Sequence, residues 1–114
     1  MRINNKVTVP LIVDTGASSV CISRAVANQL GIQKKDEVRT VQLTLADGRQ
    51  VSGKMVFLKS VDVGGMTAKN VAAVILEISN TKDSHGLLGM SFLGNFMFHI
   101  DANSKKLVLD AFKG

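Results

Sequence analysis

The chain has little of what several classes of functional site require. Its 114 residues include one cysteine, two histidines and neither tryptophan nor tyrosine. One cysteine cannot form an internal disulfide, so the fold does not depend on oxidation. Two histidines and one cysteine, without a His-Glu-x-x-His motif, do not suggest a zinc site. The chain also lacks most of the aromatic platforms that bind nucleic-acid bases. We therefore expect no metal, no cofactor and no nucleic-acid partner.

Long runs of apolar or like-charged residues are also missing. No segment approaches the roughly 20 apolar residues of a membrane span, and no signal peptide opens the chain. The net charge is +5, and the lysine pairs at 34–35 and 105–106 are too short to form a nucleic-acid arm. With 46% hydrophobic residues and no low-complexity tract, residues 1–114 are predicted to form one globular domain.

What the chain does contain is a succession of short alternating segments bounded by turn residues. Branched aliphatic residues outnumber aromatics, which favours strands. Many short strands with one or two brief helices predict an all-β fold, a closed or partly closed barrel. Strands are predicted over residues 7–13 with an interruption at Pro10, and over 20–22, 41–45, 50–58, 61–63, 66–76, 96–100 and 107–112, after a leading strand that turns at Asn4-Asn5.

Two helices are predicted between these strands. The first covers residues 24–30, with Ser23 as its N-cap and Gly31 closing it. The second is short, starts near Ser91 and ends at Gly94-Asn95. The apolar segment 71–76 is expected to be central in the sheet, after a hairpin turn at 64–65, and the polar segment 33–38 is expected to be a loop.

One apolar run ends in a carboxylate. Residues 11–13, Leu-Ile-Val, have the pattern of a buried strand, and Asp14, Thr15 and Gly16 follow at once. A carboxylate at the end of a buried strand is costly unless it is paired, hydrogen-bonded or used in chemistry. A strand followed by an ordinary Asx-type turn would also produce this tripeptide.

Residues 13–18, Val-Asp-Thr-Gly-Ala-Ser, resemble the active-site loop of aspartic proteases. Residues 85–93, His-Gly-Leu-Leu-Gly-Met-Ser-Phe-Leu, resemble the apolar-apolar-glycine element that packs behind that loop and leads into a short helix in the same family. The chain closely resembles bacterial retropepsin-like proteases, from about residue 6 to residue 112. The resemblance implies a retropepsin-like acid protease barrel, active as a two-fold homodimer, and the function of an aspartic endopeptidase.

The resemblance also implies roles for particular residues. Asp14, Thr15 and Gly16 would form the catalytic loop, with Thr15 bracing the site. The substrate would be a peptide or protein that lies extended in the cleft. Residues expected to bind it are Ala17, Ser18, Leu87, Leu88 and Gly89. Retroviral enzymes usually have an aspartate where this chain has Ser18, so contacts to the substrate backbone should differ.

The chemistry requires a second carboxylate, and the chain has a single Asp-Thr-Gly and no Asp-Ser-Gly. Asp62, Asp101 and Asp110 lack the Thr-Gly context, and Asp47 belongs to a turn. The second carboxylate is therefore expected from Asp14 of a second copy across a two-fold axis.

A hairpin with Asp47-Gly48 at its turn is predicted between the strands at 41–45 and 50–58, because a type I′ turn favours this pair. An ordinary surface hairpin would have the same pattern. By resemblance, its position is that of the flap that closes over substrate, which would add Ala46, Asp47 and Gly48 to the binding residues. The tip lacks the multiple glycines of viral flaps.

Other interpretations of the chain remain open. Cys21 is expected to be a small buried hydrophobe, since no base for a cysteine nucleophile is evident. His99 is expected to be a strand residue with a satisfied hydrogen bond, and His85 a loop residue. The fold could serve as a dimerisation or peptide-binding module with little proteolysis, or as a basic barrel that binds nucleic acid, which would need a clustered basic face.

The cellular location is left open by the sequence. Bacterial proteins of the group that the chain resembles often carry an N-terminal membrane anchor. Contact with a membrane, or a periplasmic location, is thus expected only if a longer parent protein supplies such an anchor.

Overall fold

The computed structural model describes residues 1–13, 17–44, 48, 50–76, 86–101, 103–104 and 106–111. Most of these residues lie in strands, as predicted. The strands are β1 (Arg2–Ile3), β2 (Val7–Thr8), β3 (Leu11–Val13), β4 (Val20–Ser23), β5 (Arg39–Thr44), β6 (Gln50–Val63), β7 (Met66–Leu76), β8 (Gly86–Leu88), β9 (Phe96–Asp101) and β10 (Lys106–Ala111). The helices are α1 (Arg24–Leu30), α2 (Met90–Leu93) and a 3₁₀ turn at Lys34–Asp36.

The main sheet curls into a partly closed barrel. Its strand order is β2-β1-β6-β7-β4-β8-β3, with β5 paired to β6 outside this order. The two strands at its ends, β2 and β3, are separated in the chain by only Val9 and Pro10. The sheet must therefore bend round so that its ends approach each other. The Val9 amide donates to the Met1 carbonyl (2.9 Å), and the Gly86 amide donates to the Pro10 carbonyl (2.8 Å), where the predicted interruption occurs.

Branched aliphatic side chains fill the inside of this curl. Ile3, Leu58, Val61 and Ile75 are among the fully buried residues contributed by the sheet. The helices add buried residues from two sides, namely Val26, Ala27 and Leu30 from α1 and Phe92 and Leu93 from α2. The central position predicted for residues 71–76 is confirmed, because β7 pairs with β6 on one side and β4 on the other.

Local signals in the sequence set the ends of α1 and several turns. The Ser23 hydroxyl accepts a hydrogen bond from the Val26 amide (3.2 Å), and Gly31 ends the helix with φ of 77°. Gly64 and Gly65 have φ of 58° and 84°, the positive values that a two-residue hairpin turn of type I′ needs. These predictions are confirmed.

Two segments differ from the prediction. Residues 50–58 and 61–63 form one strand, β6, instead of two. In the pairing of β6 with β7, the position between Leu58 and Ser60 has no partner, and Asn70 on the opposite strand has a φ of +53°. The strand continues through this local irregularity, as strands do at a β-bulge. The segment predicted as a loop at 33–38 contains the 3₁₀ turn, in which the Asp36 carboxylate accepts from the Gln33 amide (2.9 Å).

β9 and β10 form a separate two-stranded sheet. At the turn between them, the Asp101 carboxylate accepts from the backbone amides of Asn103 (3.0 Å) and Ser104 (3.3 Å). The hydrogen bonds from Ser104 and Asn103 hold the pKa of Asp101 below its usual value. Of the helices described, none is long and apolar enough to cross a membrane.

Candidate active site

The two sequence motifs meet in the sheet because β8 lies between β3 and β4. β3 pairs with β8 in parallel, so that Val13 is opposite Leu88, and β4 pairs with β8 in antiparallel orientation at Cys21 and Leu87. β3 leads into the Asp-Thr-Gly segment and β4 follows it. The apolar-apolar-glycine element is thus inserted between the strands on either side of the candidate catalytic loop. Residues 14–16 themselves lie outside the described residues.

Gly89 follows β8 and passes very close to the backbone that continues from this loop. A Cβ at Gly89 would overlap the carbonyl oxygen of Ser19 and lie 2.8 Å from that of Ala17. The next residue, Met90, donates its amide to the Ala17 carbonyl (2.8 Å). Glycine is therefore required at position 89, for close approach and not for an unusual φ.

Ser91 connects this region to two other strands. Its hydroxyl accepts a hydrogen bond from the Val20 amide (2.9 Å) and donates one to the Ala72 carbonyl (2.7 Å). One side chain in α2 thus satisfies backbone groups of β4 and β7. The sequence pattern predicts Ser91 only as the start of a short helix. The available signal was a small polar residue two positions after the glycine of the motif.

The predicted substrate-binding residues around the loop differ in exposure. Ser18 is exposed, whereas Ala17 and Leu87 are half-buried. Leu88 is completely buried within the hydrophobic core and is paired with Val13 of β3. That these residues contact substrate stays a prediction.

The β5–β6 hairpin has one apolar face and one polar face. Its pairing runs from Arg39 opposite Met55 to Thr44 opposite Gln50. Because alternate residues share a face, the half-buried Val41, Leu43 and Val51 lie on one side. The opposite side carries two hydrogen bonds between side chains, from Gln42 to Ser52 (3.0 Å) and from Lys54 to Thr40 (2.6 Å).

The turn of this hairpin is described only at Gly48, whose φ of +87° is of the positive kind predicted. Residues 45–47 and 49, which include Ala46 and Asp47, lie outside the described residues. The flap assignment stays a prediction.

The base of this hairpin is held by one hydrogen bond between its two arms and by one ion pair to α1. The Val38 amide, just before β5, donates to the Met55 carbonyl of β6 (2.7 Å). One residue earlier, the Glu37 carboxylate lies 3.0 Å from the Arg24 guanidinium at the start of α1, with the Glu37 side chain only 12% exposed. The ion pair connects the first turn of α1 to the segment that leads into β5.

The other residues considered as candidates from the sequence are Cys21, His85 and His99. Cys21 is buried, as predicted, and its thiol lies 3.7 Å from the Ser19 carbonyl. His99 is an exposed residue of β9, and His85 lies outside the described residues. Within the part of the chain that the structure describes, no three His, Cys, Asp or Glu side chains come together to hold a metal ion.

Comparison with known proteins gives a consistent result. Residues 1–95 match the model of the family described as "gag-polyprotein putative aspartyl protease". The structure of a retropepsin-like aspartic protease from Rickettsia conorii is similar with a TM-score of 0.71 and 30% identity, over 95% of this chain and 76% of that chain.

Of two further proteins that the chain resembles, one has a lower sequence identity and the other is a longer protein. The retroviral protease-like domain of Ddi1 from Leishmania major has a TM-score of 0.62 and 23% identity, over 95% of this chain and 82% of that chain, a likeness that concerns the fold alone. An uncharacterized protein in the cobV 5′ region of Sinorhizobium sp. is 31% identical over 85 residues, which are 75% of this chain and 35% of that protein. The chain matches only about a third of the length of that curated relative.

Proposed function

Because this chain belongs to the gag-type aspartyl protease family, we propose that it is an aspartic endopeptidase whose catalytic dyad consists of two Asp14 carboxylates, one from each subunit of a homodimer. The proposed substrate is an extended peptide or protein segment. Asp14, Thr15 and Gly16 form the catalytic loop in this proposal, and Ala17 and Ser18 provide contacts to the substrate backbone.

The observation that carries the proposal is the insertion of β8 between β3 and β4. It places Leu88 beside Val13, the residue before Asp14. Gly89 then packs on the carbonyls that follow the loop. The second motif, about 70 residues further along the chain, therefore supports the segment that carries the first, as a catalytic loop requires. Residues held by packing and by hydrogen bonds keep catalytic groups in productive geometry.

The chemistry follows from placing two carboxyl groups about 3 Å apart, where they cannot both ionise readily and hold one proton between them. This protonation pattern is that of the aspartic protease class and is carried over by family membership. The ionised carboxylate takes a proton from a bound water, which attacks the scissile carbonyl carbon. The protonated carboxyl stabilises the developing oxyanion and helps to protonate the leaving nitrogen.

Apolar surface near the loop supports association with a second copy. Ile12, two residues before Asp14, is 53% exposed on β3, the last strand of the sheet order. Met90, next to Gly89, is 37% exposed. Burial of such side chains at a two-fold axis would stabilise a dimer through the hydrophobic effect.

Mixing the protein with a dyad variant tests the proposal. Asp14→Asn keeps the shape of the side chain and removes the titrating group, so the variant should be folded and inactive. An excess of Asp14→Asn chains should suppress the activity of wild-type chains, and specific activity should fall on dilution as dimers separate. Cleavage should be blocked by pepstatin-type inhibitors.

The outcomes separate the proposal from its alternatives. Full activity of a chain shown by sedimentation to be monomeric would exclude the shared dyad. A folded dimer that binds peptides but cleaves none would instead establish a retropepsin-fold binding module.

A further inference from the structure

β6 has an open edge in its middle. On the edge away from β7, β6 pairs with β5 up to Met55 and with β1 from Val61. The Val38 amide bonds to the Met55 carbonyl and the Asn4 amide to the Ser60 carbonyl, so each end of the gap is closed. Among the described residues, positions 56–59 have no strand partner on this edge. Alternate residues of a strand direct their backbone N–H and C=O to the same edge. The backbone groups of Phe57 therefore point to the edge on which Met55 pairs with β5, at a position where this edge is open.

A cavity of about 470 Å³ lies against this edge. Its apolar lining includes the buried residues Leu30 and Val56 and the half-buried Ile32. Phe57 also lines it and is 55% exposed. The volume lies within the range of ligand sites, and such sites combine an apolar lining with a few placed polar groups. Its described lining residues include none from β3, β8 or the 17–19 segment, so the cavity is distinct from the described part of the candidate active site.

Two lysines, with Asn4 and Asp36, are the polar residues among the described lining of the cavity. The Lys6 and Lys59 side chains line it, and neither ammonium forms an ion pair with a carboxylate of the described residues. Among the residues that the structure describes, Asp36 is the one acidic residue in the lining, and its carboxylate accepts a hydrogen bond from the Gln33 amide. Lys34 and Lys35 precede Asp36 in the same 3₁₀ turn. Such a site favours a ligand that brings negative charge.

We propose that this cavity is a second peptide-binding site, which takes an extended acidic segment with an apolar or aromatic residue at its centre. The central side chain packs on Phe57 and the apolar lining. The flanking carboxylates pair with Lys6 and Lys59. The backbone of the segment bonds to the open edge at Phe57, which is recognition by strand addition. Charge complementarity selects this occupant over a neutral peptide, and the apolar lining selects it over a simple anion.

Such a site lets the protein recognise acidic protein segments away from the residues cleaved. Binding of a peptide at this cavity does not require the Asp14 dyad, so it can be tested whether or not the protein cleaves peptides.

The test uses a labelled peptide with the sequence Glu-Glu-Phe-Glu-Glu and its neutral counterpart Gln-Gln-Phe-Gln-Gln, with binding followed by fluorescence polarisation. The acidic peptide should bind, and its affinity should fall as salt is raised. Lys6→Glu combined with Lys59→Glu should weaken binding by about tenfold or more. Lys69→Glu combined with Lys106→Glu makes the same total change of charge at exposed sites on β7 and β10, outside the cavity lining, and should change affinity less than about twofold.

A second variant tests the apolar part of the site. Phe57→Ala removes an exposed ring, so the protein should keep its melting temperature, and affinity should fall by about fivefold or more. In amide NMR spectra the peptide should shift the signals of Gly31 and Phe57 while those of Ala17 and Gly89 stay in place.

Several results would overturn the inference. Shifts at Ala17 and Gly89, with displacement by a pepstatin-type inhibitor, would place the peptide in the candidate active site. Equal binding of the neutral peptide would remove the charge argument. Displacement by glutamate or inorganic phosphate at similar concentration would indicate a simple anion site, and displacement by oligothymidine in preference to acidic peptide would indicate nucleic-acid binding.

Discussion

The region around β8 and the β5–β6 hairpin belong to the same sheet and are held in very different ways. At β8, backbone groups from distant parts of the chain are in direct contact, through the packing of Gly89 on Ser19 and through the two hydrogen bonds of Ser91. In the hairpin, the pairing of β6 with β7 begins only at Gly53, opposite Leu76. Among the described residues, positions 50–52 of β6 and all of β5 therefore pair only with each other or with the base of β6.

The difference corresponds to the tasks proposed for the two regions. A loop that carries a catalytic carboxylate must be held in one geometry, which distant contacts on several sides achieve. A flap must open for substrate and close over it, and an element with few contacts beyond its own partner strand opens at low cost. Changes in the first region should therefore reduce stability and activity together, whereas changes in the second should affect catalysis more than stability.

The largest effect is expected for Gly89→Ala. The added methyl group would overlap the Ser19 carbonyl, so the backbone behind the catalytic loop must move. We expect a loss of about 3 kcal/mol in the free energy of unfolding and loss of most activity. Denaturant unfolding and peptide cleavage measure the two effects.

The control is Gly64→Ala, where nothing lies within 4 Å of the added Cβ and only the positive φ is strained. It should cost about 1 kcal/mol and leave activity intact, and equal effects of the two variants would contradict the close-approach argument.

Ser91→Ala should have the next largest effect. It leaves the Val20 amide and the Ala72 carbonyl without their shared partner. We expect a loss of about 2 kcal/mol in stability and a lower kcat with little change in KM, since the segment after the loop is displaced. Ser91→Thr keeps the hydroxyl and should restore much of the activity, while Ser104→Ala, which removes a hydroxyl contact to Asp101 at an exposed turn, is the control for loss of a surface hydrogen bond. A folded Ser91→Ala variant with wild-type kcat would show that these hydrogen bonds do not position the loop.

Gly48→Val tests whether the β5–β6 hairpin acts as the flap. Gly48 has a positive φ and no neighbour within 4 Å of an added Cβ, so the substitution strains only the turn. If the hairpin is the flap, KM should rise or kcat/KM fall by about tenfold, with a loss of only about 1 kcal/mol in stability. Melting temperature and cleavage kinetics on the same sample decide the matter. If the variant melts lower but cleaves as efficiently as wild type, the hairpin is not the flap, and the segment at 77–84 becomes the candidate lid.

The smallest effect is expected outside both regions, at Asp101. Hydrogen bonds from Ser104 and Asn103 lower its pKa in the folded protein. The carboxylate therefore contributes stability above the pKa of the unfolded chain, near 4, and this contribution is lost as the pH falls through the folded value. Asp101→Asn keeps an acceptor and removes the titration, so stability should decline slightly less steeply below about pH 4. Activity at neutral pH should not change, and a loss of activity there would mean that the β9–β10 sheet is coupled to the site.

Much of the fold could be predicted because its signals are local. Ser23 and Gly31 limit α1 through their own backbone and side-chain preferences. The paired glycines at 64–65 define a hairpin for the same reason, and the apolar run at 71–76 indicated a strand covered on both sides. Resemblance, in turn, identified the two motifs of the candidate site. The continuity of β6 could not be read from the pattern, because a skipped pairing opposite Asn70 depends on the partner strand.

By itself, then, the sequence determined the strands, the caps and turns, and the presence of a single Asp-Thr-Gly. Only the tertiary structure decided that β8 enters between β3 and β4, that Ser91 joins two strands to α2, and that β6 has an open edge beside two lysines. Propensities and turn preferences act over a few neighbouring residues. Contacts such as that of Gly89 with Ser19 join residues 70 positions apart, and they form only when the whole sheet curls and buries its apolar face.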